Sequence, residues 1–289
     1  MKYFDEIYGE QEVDGVIEEL IDTSVFQRLK GVHQGGAIFL VNPQIDHTRF
    51  EHSVGVMLLI KKLGGSVKEQ IAGLIHDISH TAFSHLVDYV FELEEEDYHE
   101  IRFVEVIEGS EIPRVLKSKG LSLDEFKELD RYKILENPLP GLSADRIDYT
   151  FRDLFQINQV SVEQINWFLK GLRVVEGRLV LIEREYGEWF QSKYRFLTSQ
   201  YFESTENKEV NLAMKVILKE SLEKGIIEEV DFFKDDFHLM SKLGGEAFLN
   251  EMINKKKSYI VDQIKMKERS VDPEIIVNDQ VIRLSELTP

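Results

Sequence analysis

The sequence predicts a mainly α-helical fold with small β-hairpins in its C-terminal part. Three observations predict it. Helix-start signals of the Ser/Thr-x-x-Glu/Gln kind recur at Thr48-Arg49-Phe50-Glu51, Ser66-Val67-Lys68-Glu69, Ser122-Leu123-Asp124-Glu125 and Ser161-Val162-Glu163-Gln164. Apolar residues mostly recur at helical rather than alternating spacing. Only two stretches, 172–182 and 275–284, place β-branched runs on either side of a short turn.

Taken in order, residues 1–30 read as an irregular start followed by a helix. Val16, Ile17, Leu20, Ile21, Phe26 and Leu29 form its stripe, with a break available at 22–24. Ala37-Ile38-Phe39-Leu40-Val41 looks strand-like, and Pro43 ends it. The Thr48 box opens a helix carrying Arg49 and His52 on one face. The Ser66 box opens the helix that ends in His76-Asp77. Residues 83–93 read as a further helix, in which His85 and Asp88 are three apart, and 98–107 as another, containing His99. Pro138 and Pro140 mark a loop. Ser143 caps a helix with Asp145, Tyr149 and Asp153 at four-residue spacing on one face. Residues 172–175 and 178–182 read as a hairpin across Glu176-Gly177. Long helices return over 185–223, with Lys193, Leu197 and Tyr201 on one face, and again over 239–253. A second hairpin closes the pattern around Asn278-Asp279. No linker separates two units.

The 289 residues suffice for one large domain or two small ones. There are 35 Lys+Arg against 53 Asp+Glu, a net charge of −18. Such a field disfavours general binding to nucleic acid or an anionic membrane. It also requires a local basic pocket for any anionic substrate. The sequence has no cysteine, which excludes disulfides and thiolate metal sites and makes a cytoplasmic location the default. No apolar run approaches a membrane span, and no charged–apolar–small leader opens the sequence.

The chain is organised around Leu74-Ile75-His76-Asp77-Ile78-Ser79-His80-Thr81-Ala82-Phe83-Ser84-His85. His76 and Asp77 end an apolar run, where buried polar groups must be paired or bind a cation. If the helix continues, His76 and His80 share a face. Imidazole nitrogens and carboxylate oxygens together suit a divalent first-row metal. Any one histidine is most simply a hydrogen-bonded structural residue, yet six of the eight fall between His47 and His99.

These motifs resemble the HD-domain phosphohydrolases. Within them the chain is most similar to the branch containing deoxynucleoside triphosphate triphosphohydrolases and the SAM-and-HD-domain protein of animals. The resemblance rests on Phe26-Gln27-Arg28-Leu29, on 48–56 with Thr48-Arg49-Phe50-Glu51-His52, on 76–85, and on Asp145-Arg146-Ile147-Asp148-Tyr149 with Arg152-Asp153. Weaker echoes extend it over about 7–287.

The resemblance implies a helical HD catalytic core over 1–170. It also implies a helical extension with β-hairpins over 171–289, packed on the core and completing the site. It implies one divalent metal (iron, manganese, zinc or nickel) held by His52, His76, Asp77 and Asp145, with magnesium an option on the nucleotide. His85, backed by Asp88, becomes the acid–base candidate, with His80 and His99 beside the phosphate or leaving group. Arg49, Arg146, Tyr149 and Lys193 match triphosphate-binding positions; Gln34, Asp153 and Tyr201 match positions near ribose and base. Leu197, Glu203 and Gly35 depart from the family pattern, so the phosphate side is better matched than the sugar side. The implied reaction is hydrolysis of (deoxy)nucleoside triphosphates to nucleoside and triphosphate. The alternatives are a nucleotide phosphomonoesterase and a regulatory nucleotide-binding protein without turnover. The family forms dimers and tetramers, so a homo-oligomer is expected.

Overall fold

A short antiparallel hairpin, β1 (Lys2–Asp5) and β2 (Gly9–Glu12), opens the computed structural model, which describes residues 2–257 and 269–287. An irregular start was the expectation here. The turn is fixed by a side chain: the Asp5 carboxylate accepts from the backbone N–H of Ile7 and Tyr8, both at 2.9 Å. The following helical stripe breaks into α1 (Gly15–Ile21) and α2 (Ser24–Gln27), with Asp22 closing one and Thr23 starting the next. Ile38–Leu40 is a tight 3-10 turn, not a strand. An all-apolar run carries no periodicity to separate the two, and here Asn211 takes the Ala37 N–H at 3.0 Å.

Both central capping boxes form, opening α3 (Arg49–Lys62) and α4 (Val67–Ile75). These two helices pack closely because Gly73 has no side chain. A Cβ there would lie 2.6 Å from Ile60 Cδ1 and 3.3 Å from Val56 Cγ1. The helix α4 stops at Ile75, with His76 as its last half-turn residue. His80 therefore does not share a helix face with His76; a turn presents it instead. The expected helix over 83–93 shrinks to α5 (Leu86–Val90). Phe83 and Ser84 stand at φ 58° and 53°, left-handed backbone that an α-helix cannot contain.

Next come α6 (Tyr98–Glu108) and α7 (Ile112–Ser118). The Ser122 box caps only a 3-10 turn. Ser143 caps α8 (Ala144–Gln156), its hydroxyl accepting from Arg146 N. Then α9 (Val162–Gly171), β3 (Leu172–Val175), β4 (Arg178–Leu181) and α10 (Arg184–Phe196) follow. A π-helical turn, Leu197–Phe202, precedes α11 (Thr205–Glu223). Lys193 lies in α10 before this turn and is half-buried, whereas Leu197 and Tyr201 lie within the turn and are buried. The helical stretch expected over 239–253 is two helices, α12 (Asp236–Lys242) and α13 (Glu246–Lys257). Gly244 and Gly245, both at positive φ, separate them.

The second hairpin, β5 (Glu274–Val277) and β6 (Gln280–Arg283), is not isolated. Leu181 pairs with Ile275 in parallel, giving one sheet of order β3-β4-β5-β6. A single hydrophobic cluster runs from Ile7 to Leu284. Of the 171–289 extension, 258–268 and 288–289 lie outside the described residues. No helix among the described residues is long and apolar enough to cross a membrane.

Candidate functional site

Three elements bring the first cluster together. His52 comes from the second turn of α3, His76 and Asp77 from the C-terminus of α4, and Asp145 from the first turn of α8. One donor atom each from His52, His76 and Asp77 lie within 4.8 Å of one another. Asp145 Oδ1 is 3.0 Å from His52 Nε2 and 3.5 Å from His76 Nε2.

The hydrogen bonds behind these residues decide what they present. His76 Nδ1 lies 2.8 Å from the Gly73 carbonyl. A carbonyl only accepts, so Nδ1 carries the proton and neutral His76 shows a bare Nε2. That Nε2 is buried without a hydrogen-bond partner, and faces carboxylate oxygens of Asp77 at 3.4 Å and Asp145 at 3.5 Å. His52 stands between two carboxylates. Its Nδ1 contacts Asp148 at 2.8 Å, and its Nε2 points at Asp145. Lone pairs aimed at carboxylates repel one another unless a cation lies between them. Without a metal the same carboxylates draw a proton instead. Burial resists charge on His76, but Asp77 and Asp145 lift its pKa to about 9. Burial likewise opposes ionisation of Asp77, yet Arg49 and His76 hold that carboxyl well below its usual range. Two imidazole nitrogens and two carboxylates fit a divalent metal, neutralise its charge and leave positions for substrate oxygen or water.

Asp148 is a functional residue that the sequence reading did not single out. Its signal was the three-residue spacing from Asp145, which puts both carboxylates on His52. Arg152 in turn holds Asp148 through Nε and Nη2 at 2.9 and 3.0 Å. Carboxylates behind metal-bound histidines typically matter about 10–100-fold in metal affinity. Asp148→Ala should weaken metal binding by that order, measured by competition with a chromogenic chelator.

Beside this centre stands a second group, His80, His85 and His99, with donor atoms also within 4.8 Å of one another. His80 and His99 stack with centroids 3.9 Å apart. Burial, with the neighbouring His85, drives the His99 imidazole down to about 3. Burial and Arg49 push His80 well below its usual value. Both are therefore neutral at pH 7. His85 differs. Its Nδ1 sits 3.2 Å from Asp88 Oδ2, and Asp88 is fixed because its other oxygen accepts from Tyr98 N at 2.9 Å. That arrangement places the proton on Nδ1 and leaves Nε2 as the accepting nitrogen. His85 lines the cavity.

A cavity of about 820 Å³ joins the two groups, within the ordinary range for small-molecule sites. Arg49, Arg146, Tyr149, Gln34, Asp153 and Tyr201 all line it. Arg49 is already committed, donating to Asp77 at 2.7 Å and to Ser84 at 3.0 Å. Arg146 uses Nη1 on the carbonyls of Asn137 and Gly141, while its buried Nε has no partner. The Tyr149 hydroxyl meets that of Tyr194 at 3.1 Å. Asp153 faces His47 at 3.1 Å. Gln34 Oε1 and the Tyr201 hydroxyl are buried and unpartnered. Lys193 is not brought to the cavity. Its Nζ donates to the Gln159 carbonyl at 2.8 Å and lies 5.9 Å from the Trp189 ring centroid. The lining gains instead Arg269 and Glu136. Burial, with Asp145 nearby, raises the Glu136 carboxyl to about 8. No spacing in the sequence pointed to either residue.

Residues 49–152 match the HD-domain family model. The chain belongs to the HD-domain family of metal-dependent phosphohydrolases. Along 99% of its length it is 43% identical to the protein YdhJ of Bacillus subtilis (strain 168), covering 91% of that protein. Over 58% of its length it is 37% identical to the metal-dependent phosphohydrolase cns2 of Cordyceps militaris, covering 49% of it. Over 64% it is 30% identical to the deoxynucleoside triphosphate triphosphohydrolase SAMHD1 of Danio rerio, covering 39% of it. The chain thus spans half or less of the last two. The matched segment runs from Arg49 to Arg152, and so contains every residue of the first cluster.

Proposed function

We propose that this HD-domain protein hydrolyses (deoxy)nucleoside triphosphates to nucleoside and triphosphate. His52, His76, Asp77 and Asp145 would hold a divalent metal, which supplies Lewis acidity toward a phosphoryl oxygen. The observation that carries the reading is the buried Nε2 of His76, without a hydrogen-bond partner and facing two carboxylates, on the wall of a cavity with further unpartnered polar atoms. Arg146 Nε, the Tyr201 hydroxyl and Gln34 Oε1 are buried polar groups that a ligand would satisfy. The resemblance to SAMHD1 supports a deoxynucleotide substrate. In this reading 1–170 is the catalytic core and 171–289 the extension that completes the cavity, and the working form is a homo-oligomer.

His85 serves as the proton carrier. Asp88 holds its Nδ1–H, so Nε2 can accept a proton and return it to the departing ester oxygen. Neutral His80 and His99 donate or accept hydrogen bonds at the phosphate. His85→Ala should lower kcat by about 10²–10⁴-fold with metal content unchanged. Steady-state kinetics and metal analysis on the same preparation check it.

The test of the reaction is a nucleotide panel with added iron, manganese, zinc or nickel, read by anion-exchange chromatography. Inorganic triphosphate as product supports the proposal. Orthophosphate alone replaces it with phosphomonoester hydrolysis. Tight nucleotide binding without turnover replaces it with a regulatory role.

A further inference from the structure

We infer that Arg269, carried by the segment leading into β5, is a polyphosphate-binding residue of this cavity. The inference rests on the polyphosphate reading above. Arg269 lines the cavity with Arg146, Tyr149, Tyr194 and Tyr89, and its side chain keeps 31% exposure.

The argument begins with charge. The cavity wall includes Glu95, Glu96, Glu100, Glu128, Asp130 and Glu136, within a chain of net charge −18. A polyanion enters such a place only if local cations outweigh it. Arg49 is engaged by Asp77 and Lys193 is turned onto Gln159. Of the lining lysines, Lys127 is ion-paired with Glu108 and Asp124, and Lys133 is exposed. Arg49 spends a second nitrogen on Ser84, whereas Arg146 keeps an unpartnered Nε and Arg269 meets its carboxylate, Glu96, through a single nitrogen.

Arg269 is also held in place. Two residues on, the Val271 carbonyl accepts from Gln191 Nε2 at 2.9 Å. Asp272 N donates to the Pro140 carbonyl at 2.9 Å, and the Asp272 carboxylate accepts from Ser285 N and Oγ at 3.0 and 2.6 Å. Pro140 belongs to the same loop whose Asn137 and Gly141 carbonyls anchor Arg146. One loop therefore sets both cations. At its tip, Arg269 Nη2 donates to Glu96 Oε2 at 2.7 Å. A guanidinium has five N–H donors in a planar fork. Glu96 orients that plane with one nitrogen, and the fork's other donors suit phosphate oxygens.

Titration calorimetry of inorganic triphosphate into the metal-loaded protein tests this without depending on turnover. Arg269→Gln should weaken triphosphate binding about tenfold, the size of one charge-assisted contact, and weaken orthophosphate binding less. Metal content and melting temperature should match wild type. Should Arg269→Gln melt early, Arg269→Lys carries the comparison, and a severalfold loss is expected because the fork is gone while the charge stays. Triphosphate affinity within about twofold of wild type in these variants overturns the inference. A wild-type protein that turns over nucleotide while both variants bind normally overturns this inference alone. A wild-type protein that neither binds triphosphate nor hydrolyses nucleotide overturns the polyphosphate reading and this one with it.

Discussion

Asp77→Ala is expected to empty the metal centre and reduce hydrolysis to background. The carboxylate is the hub of the site. Its Oδ1 lies 3.4 Å from His76 Nε2 and 3.3 Å from His80 Nε2, and its Oδ2 takes Arg49 Nη1 at 2.7 Å. Removing it leaves two imidazoles and Asp145, one negative charge short of neutralising a dication. It also leaves a buried arginine without its carboxylate, which itself repels a cation. Metal analysis by mass spectrometry and product chromatography on the same sample check both parts. Retained metal together with retained turnover would remove the centre proposed here. Retained metal without turnover would reassign Asp77 to holding Arg49 and His80.

Gly55→Ala should be among the most destabilising single changes in the chain. In an exposed helix, Gly to Ala gains stability by up to about 1 kcal/mol. Here the sign reverses, because the added methyl would fall inside contact distance of Arg152 and Asp148. Those two side chains and Asp5 form a buried ion-pair network, with Arg152 Nη2 at 3.0 Å from Asp5 Oδ2 and 3.0 Å from Asp148 Oδ1. Forcing them apart costs about 3–5 kcal/mol, the usual consequence of breaking a buried pair. Urea unfolding measures it, and metal affinity should fall in parallel because Asp148 orients His52. A loss under about 1 kcal/mol would show that α3 and α8 can separate cheaply at this point.

Much of the helical scaffold was legible because its signals are local. Thr48 with Glu51 and Ser66 with Glu69 are reciprocal hydrogen bonds between neighbours, so the residues that start α3 and α4 are readable in a single strip of sequence. The adjacency of His76 and Asp77 was equally visible. What their Nε2 and carboxylate atoms face was not, because that depends on Gly73 and on α8 arriving from far along the chain. The misread places share that cause. Phe83 and Ser84 adopt left-handed backbone where propensity favours helix. They can do so because Asp236 Oδ1 accepts the Phe83 N–H at 2.6 Å and Ser84 Oγ donates to the His33 carbonyl at 2.7 Å. Lys193 matched a family position by sequence, but the Gln159 carbonyl settles where its amine goes. Arg269 carries no motif. Only the anchoring of Val271 and Asp272 on distant segments brings it to the cavity.

The parallel join between Leu181 and Ile275 has a consequence for biosynthesis. Leu142 bridges Leu179 on that edge, so until β5 emerges from the ribosome it is the Leu181 end of β4 that lacks its neighbour, and Val180 and Leu181 are buried in the finished protein. At about 5–20 residues per second, translation leaves this sticky ribbon uncovered for several seconds. A chain cut before β5 should therefore aggregate edge to edge more readily than the full chain, which light scattering of the two would show.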